Sequence, residues 1–444
     1  MAHVTTITAV LNGSVLQGLY VKSESNMNIE NEKIRKNFAG EPWVVPLHAQ
    51  NHPETTRRRS SQRSPGLQAD LMPILQLIRM MGILPINFQP NGEVDFKLLS
   101  WITLYSVLIQ GIIVVTTVIT LKERLGKLAD DSADFKENVL EISCSLCFFP
   151  AFLGLINHLP ESGKKARFFK DWGNLEREFR RVADRDLLIW LGRKMRMKIV
   201  KSCVVTVAFT AILLLLQRGY TWWQAVIFTY CSLLNNLMID FWVLTSDAFI
   251  LTVEEIESAL TESLSKKHRA TTTCRVADYG VLWRHLSKQV QDLGNAMGYT
   301  YGGQVMLYFT LQLIGTYGFM SRIQQAEEVT TVGFLISAFI ATWLTYVFCN
   351  AADRATKFVG REFQEKLRNL LNVSTSMDAE TKAELRTFLE TVIAYPPEIN
   401  LCGFVQVNRG LQTSLISSIV TYLVVLAQFQ SNLVSDDETN NRTN

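Results

Sequence analysis

Long apolar runs separated by polar, charged segments dominate the pattern of this chain, and seven of them reach the roughly 20 residues that a helix needs to cross a bilayer. They are residues 98–121, 139–159, 199–217, 222–252, 296–320, 332–350 and 411–430. The first, fifth, sixth and seventh hold no charged residue, whereas Glu141 lies in the second, Lys201 in the third, and Asp240 and Asp247 in the fourth. The pattern predicts an all-α membrane protein with seven transmembrane helices. Ahead of them, residues 71–84 are mostly apolar with Arg79 as the single ionisable residue and are followed by Pro85 and Pro90, which suits a short interfacial or core-packing helix. After the sixth run, Phe363, Leu367, Leu370 and Leu371 recur at helical spacing. A further helix is expected to start at Ser376 or Asp378, run through Leu385, Phe388 and Leu389, and end at Pro396-Pro397. These extensions should pack as a helical bundle outside the membrane.

Charge then orients the helices, because Lys and Arg are retained on the cytoplasmic side. Twelve basic residues crowd the segment 158–198, and the segments after the fourth and sixth runs are also basic. On the opposite side the first loop has Lys122, Arg124, Lys127 and Lys136 offset by five acids, and the third and fifth loops have Arg218 and Arg322 alone. The N-terminus is therefore expected inside and the C-terminus outside. The organisation that follows is a cytoplasmic, partly disordered region over 1–97, a seven-helix body over 98–430, and an extracellular tail over 431–444. Met1 to Tyr20 lacks a basic start and a small-residue cleavage site, so no cleaved signal peptide is expected. The Arg57-Arg58-Arg59-Ser60-Ser61 run reads as a solvated stretch.

Composition changes little in this picture. The chain is 48% hydrophobic with a formal charge of +3 spread over its loops, so no nucleic-acid partner is implied. Of seven cysteines, Cys144 and Cys147 have redox-motif spacing but sit in an apolar helix without the strand such a motif needs, and they read as packing residues. The histidines, His3, His48, His52, His158, His268 and His285, lack the pairing of a metal site. No phosphate loop, nucleophile elbow or intramembrane catalytic pair is present, so no catalytic residue, metal or cofactor is expected.

The polar residues within the apolar runs are the candidates for function. Asp240 and Asp247 share a helix face and must meet protein or water, since a carboxylate exposed to lipid is costly. For Asp247 the simpler reading is that the helix leaves the bilayer there, because Glu254, Glu255 and Glu257 follow. Trp222 and Trp223 suit an interfacial belt. Tyr230, Asn235, Gln312, Tyr317 and Ser337 are deeper and could furnish the few placed polar groups of a small-molecule cavity. Asn441-Arg442-Thr443 is a glycosylation sequon in the external tail.

The last apolar run closes on Thr421-Tyr422-Leu423-Val424-Val425-Leu426-Ala427-Gln428-Phe429. Thr421 and Gln428 share one helical stripe, with Tyr422 and Phe429 on its neighbour. This closure of Thr-Tyr, five apolar residues and Gln-Phe resembles the signature of insect gustatory receptors. The stretches Pro396 to Phe404 and Val407 to Leu411, with Leu423 after Thr-Tyr where sugar receptors more often carry an acid, look like the carbon-dioxide branch. The resemblance implies a tetrameric ligand-gated cation channel in the plasma membrane of sensory neurons, formed as a homomer or with related subunits. It makes 411–430 the pore helix, places Gln428 and Phe429 at or beside the gate, lets Thr421 continue the polar path, and puts Val425 near it. A small-molecule ligand, carbon dioxide on this branch and sugars or bitter compounds on others, would be bound among the outer halves of the earlier helices. A seven-helix G-protein-coupled receptor is the competing class, but it has the opposite orientation, and its Asp-Arg-Tyr and Asn-Pro-x-x-Tyr patterns are absent.

Overall fold

The structure is a computed structural model that describes residues 67–89, 94–128, 145, 146, 148–216, 221–267, 276–323, 328–373 and 377–443. The Arg57–Arg59 run, Glu141, Cys144, Cys147, Arg218, His268 and Cys274 lie outside the described residues. Helix α1 (Leu67–Met80) buries Leu71, Ile74, Leu75 and Ile78, the three-four spacing of one helical face. It packs on α4 (Gly192–Leu216) and α5 (Trp222–Lys267). It stops short of the expected Leu84 because Gly82, at φ 74°, turns the chain before Pro85 is reached. Ile83, Leu84 and Ile86 continue into the core, and a small antiparallel hairpin, β1 (Asn87–Phe88) with β2 (Val94–Asp95), follows. This part of the N-terminal region is thus built into the helical body.

Helix α2 (Trp101–Leu128) is inside out by the standards of a water-soluble helix. Ser106, Gln110, Thr117 and Thr120 are buried, while Leu104, Leu108, Ile112, Val115 and Ile119 are exposed along the opposite side. Helix α4 repeats the arrangement, with Ser202, Thr206 and Thr210 inward and Val200, Val204 and Val207 outward. Apolar stripes of this size suit lipid tails, and on the inward side the Ser106 hydroxyl donates to the Gly82 carbonyl and the Gln110 amide to the Met81 carbonyl and the Tyr230 hydroxyl. Among the described residues, Trp101–Arg124, Trp222–Ser265, Val332–Asn372 and Arg409–Leu426 are long and apolar enough to cross a membrane.

The predicted basic loops are largely continuations of the spanning helices. Helix α3 (Phe149–Ala183) carries the second span directly into the charged segment and ends at Asp184, which adopts a left-handed φ of 50°. Helices α5 and α6 (Val276–Ile323) have 46 and 48 residues. At ~1.5 Å per residue each is about 70 Å long, more than twice a hydrocarbon core of about 30 Å. Along them Trp172 of α3 lies against Phe168 and Phe249, and Trp283 of α6 stacks on Phe363 at 6.4 Å and 6°. Helix α7 (Glu328–Lys357) passes through a π-helical turn, Phe358–Glu362, into α8 (Phe363–Val373). The Trp283 indole N–H donates to the Val359 carbonyl at 2.9 Å, at the point where the wider turn interrupts the α-helical ladder.

Helix α9 (Ala379–Ala394) begins as its sequence indicated, with Asp378 accepting from the Thr381 amide and, at 2.7 Å, from the Thr381 hydroxyl. A tight hairpin, β3 (Asn400–Leu401) with β4 (Val405–Gln406), then presses on α6. The last helix, α10 (Arg409–Thr443), is capped by Asn408, whose Oδ1 accepts the Leu411 amide at 3.0 Å. It does not end near Gln430 but continues through the segment expected as a tail, and Asn441 sits in its final turn.

Candidate functional site

A cavity of ≈ 30 Å³ lies where α3, α5 and α6 converge. Asn235 of α5 and Gln304 of α6 provide its amides, His158 of α3 its imidazole, and Leu153, Leu234 and Leu307 much of its apolar wall. The Asn235 Oδ1 accepts from the Tyr308 hydroxyl at 3.0 Å and from the Gln304 amide. The His158 Nδ1 donates to the Gly154 carbonyl at 2.8 Å, which sets the tautomer. Among the described residues the buried Gln304 Oε1 has no hydrogen-bond partner, which leaves it as an acceptor facing the site. Among the described residues, no lysine or arginine lines it.

One turn beyond His158, the fully buried Glu161 joins α3 to the middle of α6. Its Oε1 accepts the main-chain N–H groups of Tyr299 (2.8 Å) and Thr300 (3.0 Å), and Lys165 lies 3.0 Å from Oε2. A carboxylate held by two amides and a lysine has the partners that burial of charge requires. On the other side of this same turn, an alanine Cβ at Gly298 would lie 2.7 Å from the Cys402 nitrogen, so the β3–β4 hairpin fits only against a glycine. Thr300 also lines the cavity. One turn of α6 therefore touches the cavity, Glu161 and the hairpin that leads into α10.

Of the five residues proposed from sequence as ligand contacts, only Asn235 lines this cavity. Tyr230 is occupied elsewhere: its hydroxyl donates to the Met81 carbonyl at 2.5 Å and accepts from the Gln110 amide at 2.9 Å. Gln312 bonds Thr345 across the α6–α7 contact at 3.1 Å. Tyr317 and Ser337 are half-buried farther along those two helices. The structure does not bring the five together. Asp240, left open by the sequence, is neutralised inside the protein by Lys198 at 3.0 Å and bonded by the Ser202 hydroxyl at 2.5 Å. Asp247 is held by Lys194 at 2.6 Å.

Helix α10 packs on α6 and α7. Gln412 and Ile419 are buried, and the Tyr422 ring meets Phe309 of α6 edge-on at 6.3 Å. At ~100° per residue, Ser414, Ser417, Thr421, Val424 and Gln428 project from the opposite side, and all five are exposed. Val425 is also exposed, at the margin of this stripe, and the Phe429 side chain lies outside the described residues. Ser414 and Ser417 extend the Thr421–Gln428 stripe toward the start of the helix, and the same three-four spacing read backwards would have found them.

Comparison with known proteins places the chain. A family model for seven-transmembrane chemosensory receptors matches residues 71–433. This chain belongs to that family. The receptor is similar to gustatory and odorant receptor 22 of Anopheles gambiae, with 28% identity over 378 residues, covering 83% of this chain and 79% of that one. It is similar too to gustatory and odorant receptor 21a of Drosophila melanogaster, with 27% identity over 364 residues, covering 80% and 79%. Its fold resembles the insect olfactory receptor OR5 from Machilis hrabei in complex with eugenol, at a TM-score of 0.56 and 10% identity over 82% of this chain and 98% of that one. The receptor is accordingly a multi-pass, seven-transmembrane chemosensory receptor, and not an enzyme.

Proposed function

We propose that the receptor is a subunit of a ligand-gated cation channel in the plasma membrane of sensory neurons, with its N-terminus inside. Four subunits, identical or related, surround a pore lined by α10. The observation that carries this reading is the outward polar stripe of α10. Serine, threonine and glutamine facing lipid would lose hydrogen bonds to water, whereas facing a shared axis they line an aqueous path. The three-four spacing suits parallel helices meeting around an axis. Gln428 then offers an amide ring for a hydrated cation, and Phe429 with Val425 supplies the apolar constriction that gates by dewetting.

The ligand is a small neutral molecule, and carbon dioxide fits best. The cavity at Asn235 and Gln304, ≈ 30 Å³, is far below the roughly 300–1,000 Å³ of pockets for drug-sized ligands. It suits a molecule of a few atoms, and its uncharged lining disfavours an anion such as bicarbonate. The vacant Gln304 oxygen complements the electropositive carbon of carbon dioxide.

The test is current evoked by carbon dioxide pulses in cells expressing the full chain with related subunits, combined with cysteine accessibility. Ser417→Cys and Thr421→Cys channels should be blocked by a charged thiol reagent, and Ile419→Cys channels should not. Equal sensitivity at all three positions would remove α10 from the pore. Termini tagged for surface labelling check the orientation, which an external N-terminus would overturn.

A further inference from the structure

The base of α10 is tied to α7 by a polar contact that local helix stability does not explain. Arg409 opens α10, where the helix dipole disfavours a cation, and Asn408 already caps it. The Arg409 guanidinium instead reaches across to α7. Its Nη2 and Nε donate to Asn350 Oδ1 at 2.7 and 3.1 Å, and Nε lies 3.3 Å from Asp353 Oδ2. That same Asp353 oxygen is 2.6 Å from Lys357 Nζ, one turn along α7. Two cations on different helices thus share a single carboxylate oxygen. The adjacent Arg354 approaches Asp247 of α5 at 3.9 Å, and Asp247 is held in turn by Lys194 of α4. At this one level, polar contacts run from α4 through α5 and α7 to α10.

We infer that Arg409, Asn350 and Asp353 form a gating latch, and that Lys357 is the alternative partner that makes its release cheap. With Arg409 engaged, α10 is held to α7 at its base. When α10 shifts, Asp353 falls back on Lys357 and its charge is never left bare, so the energetic difference between the two arrangements stays small. Arg409 is more than half exposed and Asp353 nearly buried, which lets the arginine leave into water while the carboxylate stays. The latch rests on the channel reading given above.

Competition makes a signed prediction. Removing Arg409 weakens the latch, whereas removing Lys357 leaves Asp353 to Arg409 alone and strengthens it. In cells expressing the full chain with related subunits, spontaneous and carbon dioxide-evoked currents are recorded for Arg409→Gln and Lys357→Gln. The two substitutions should shift the half-maximal carbon dioxide concentration in opposite directions, each by roughly threefold to fivefold, the scale of partly exposed ion pairs. In an Asp353→Asn background both shifts should shrink toward none. Shifts of the same sign, or no shift at normal surface expression, would overturn the latch while leaving the channel intact. If the unaltered chain passes neither spontaneous nor evoked current in any combination, the channel reading fails and the latch with it.

Discussion

Replacing Gly298 by alanine tests how tightly the hairpin before α10 is built onto α6. In a helix interior this change alone is favourable by about 0.8–1 kcal/mol, because glycine is a poor helix former. Here the added methyl would sit 2.7 Å from the Cys402 nitrogen, 3.2 Å from the Leu401 carbonyl carbon, and against the Cys402 sulfur. Two of these three obstacles are backbone and cannot swing aside. Overpacking of this kind costs about 1–3 kcal/mol, so Gly298→Ala should be net destabilising by up to about 2 kcal/mol. Gly302, one turn on, is the internal control: nothing lies within 4 Å of its added Cβ, so Gly302→Ala should stabilise by up to about 1 kcal/mol. The assay is the apparent thermal midpoint of the full receptor in one detergent, read by intrinsic fluorescence, because unfolding of such a protein is not reversible. The expected order is Gly302→Ala at or above the unaltered receptor, with Gly298→Ala below it. Equal midpoints, or the reverse order, would refute close docking of the hairpin.

Three further outcomes follow from buried or paired groups. Glu161→Ala should destabilise by about 3–5 kcal/mol by leaving Lys165 buried and unpaired, and Lys165→Met in the same chain should recover part of the loss; no recovery would mean the pair is not the cause. Burial raises the Glu176 carboxyl above its ordinary value, against the opposing bonds from the Leu67 amide and the Trp172 indole. Its contribution is therefore fully present below the unfolded-state value and is lost as pH rises through the folded one, so Glu176→Gln should flatten the fall in thermal midpoint as pH rises above the ordinary carboxylate range. Superimposable profiles would contradict this. Asn441→Gln should abolish a glycosidase-sensitive band if the end of α10 faces outward, and a band absent from the unaltered receptor would count against that orientation.

Much of the architecture was legible because two signals are local. A run of apolar residues marks a span whatever surrounds it, and Asp378 followed by Thr381 caps a helix with atoms three residues apart. The cavity was not legible in the same way. His158, Asn235 and Gln304 come from three helices, and only tertiary packing joins them; His158 in isolation read as one of several scattered histidines. Gln312, Tyr317 and Ser337 were grouped with Asn235 because their depth in the membrane is similar, but depth does not say which neighbour a helix face meets. The inward Gln110 and Thr117 of α2 show the same limit, since hydropathy detects the span while hiding which side of it is polar. Glu161 carried no signal, because its partners are the main-chain amides of Tyr299 and Thr300.

The junction at Asn408 has a mechanical consequence. Behind it the β3–β4 hairpin is wedged against Gly294 and Gly298 of α6; ahead of it α10 runs on as a single 35-residue helix. Gln428 stands about 28 Å up that helix from Arg409 at ~1.5 Å per residue, so α10 acts as a lever with its fulcrum beside the wedge. A tilt of about 5° at the fulcrum carries Gln428 sideways by about 2.5 Å, close to the width of a water molecule. In the proposed channel, where several such levers would surround one axis, a pivot too small to disturb the packing at the base would change the bore at the far end by about twice that distance.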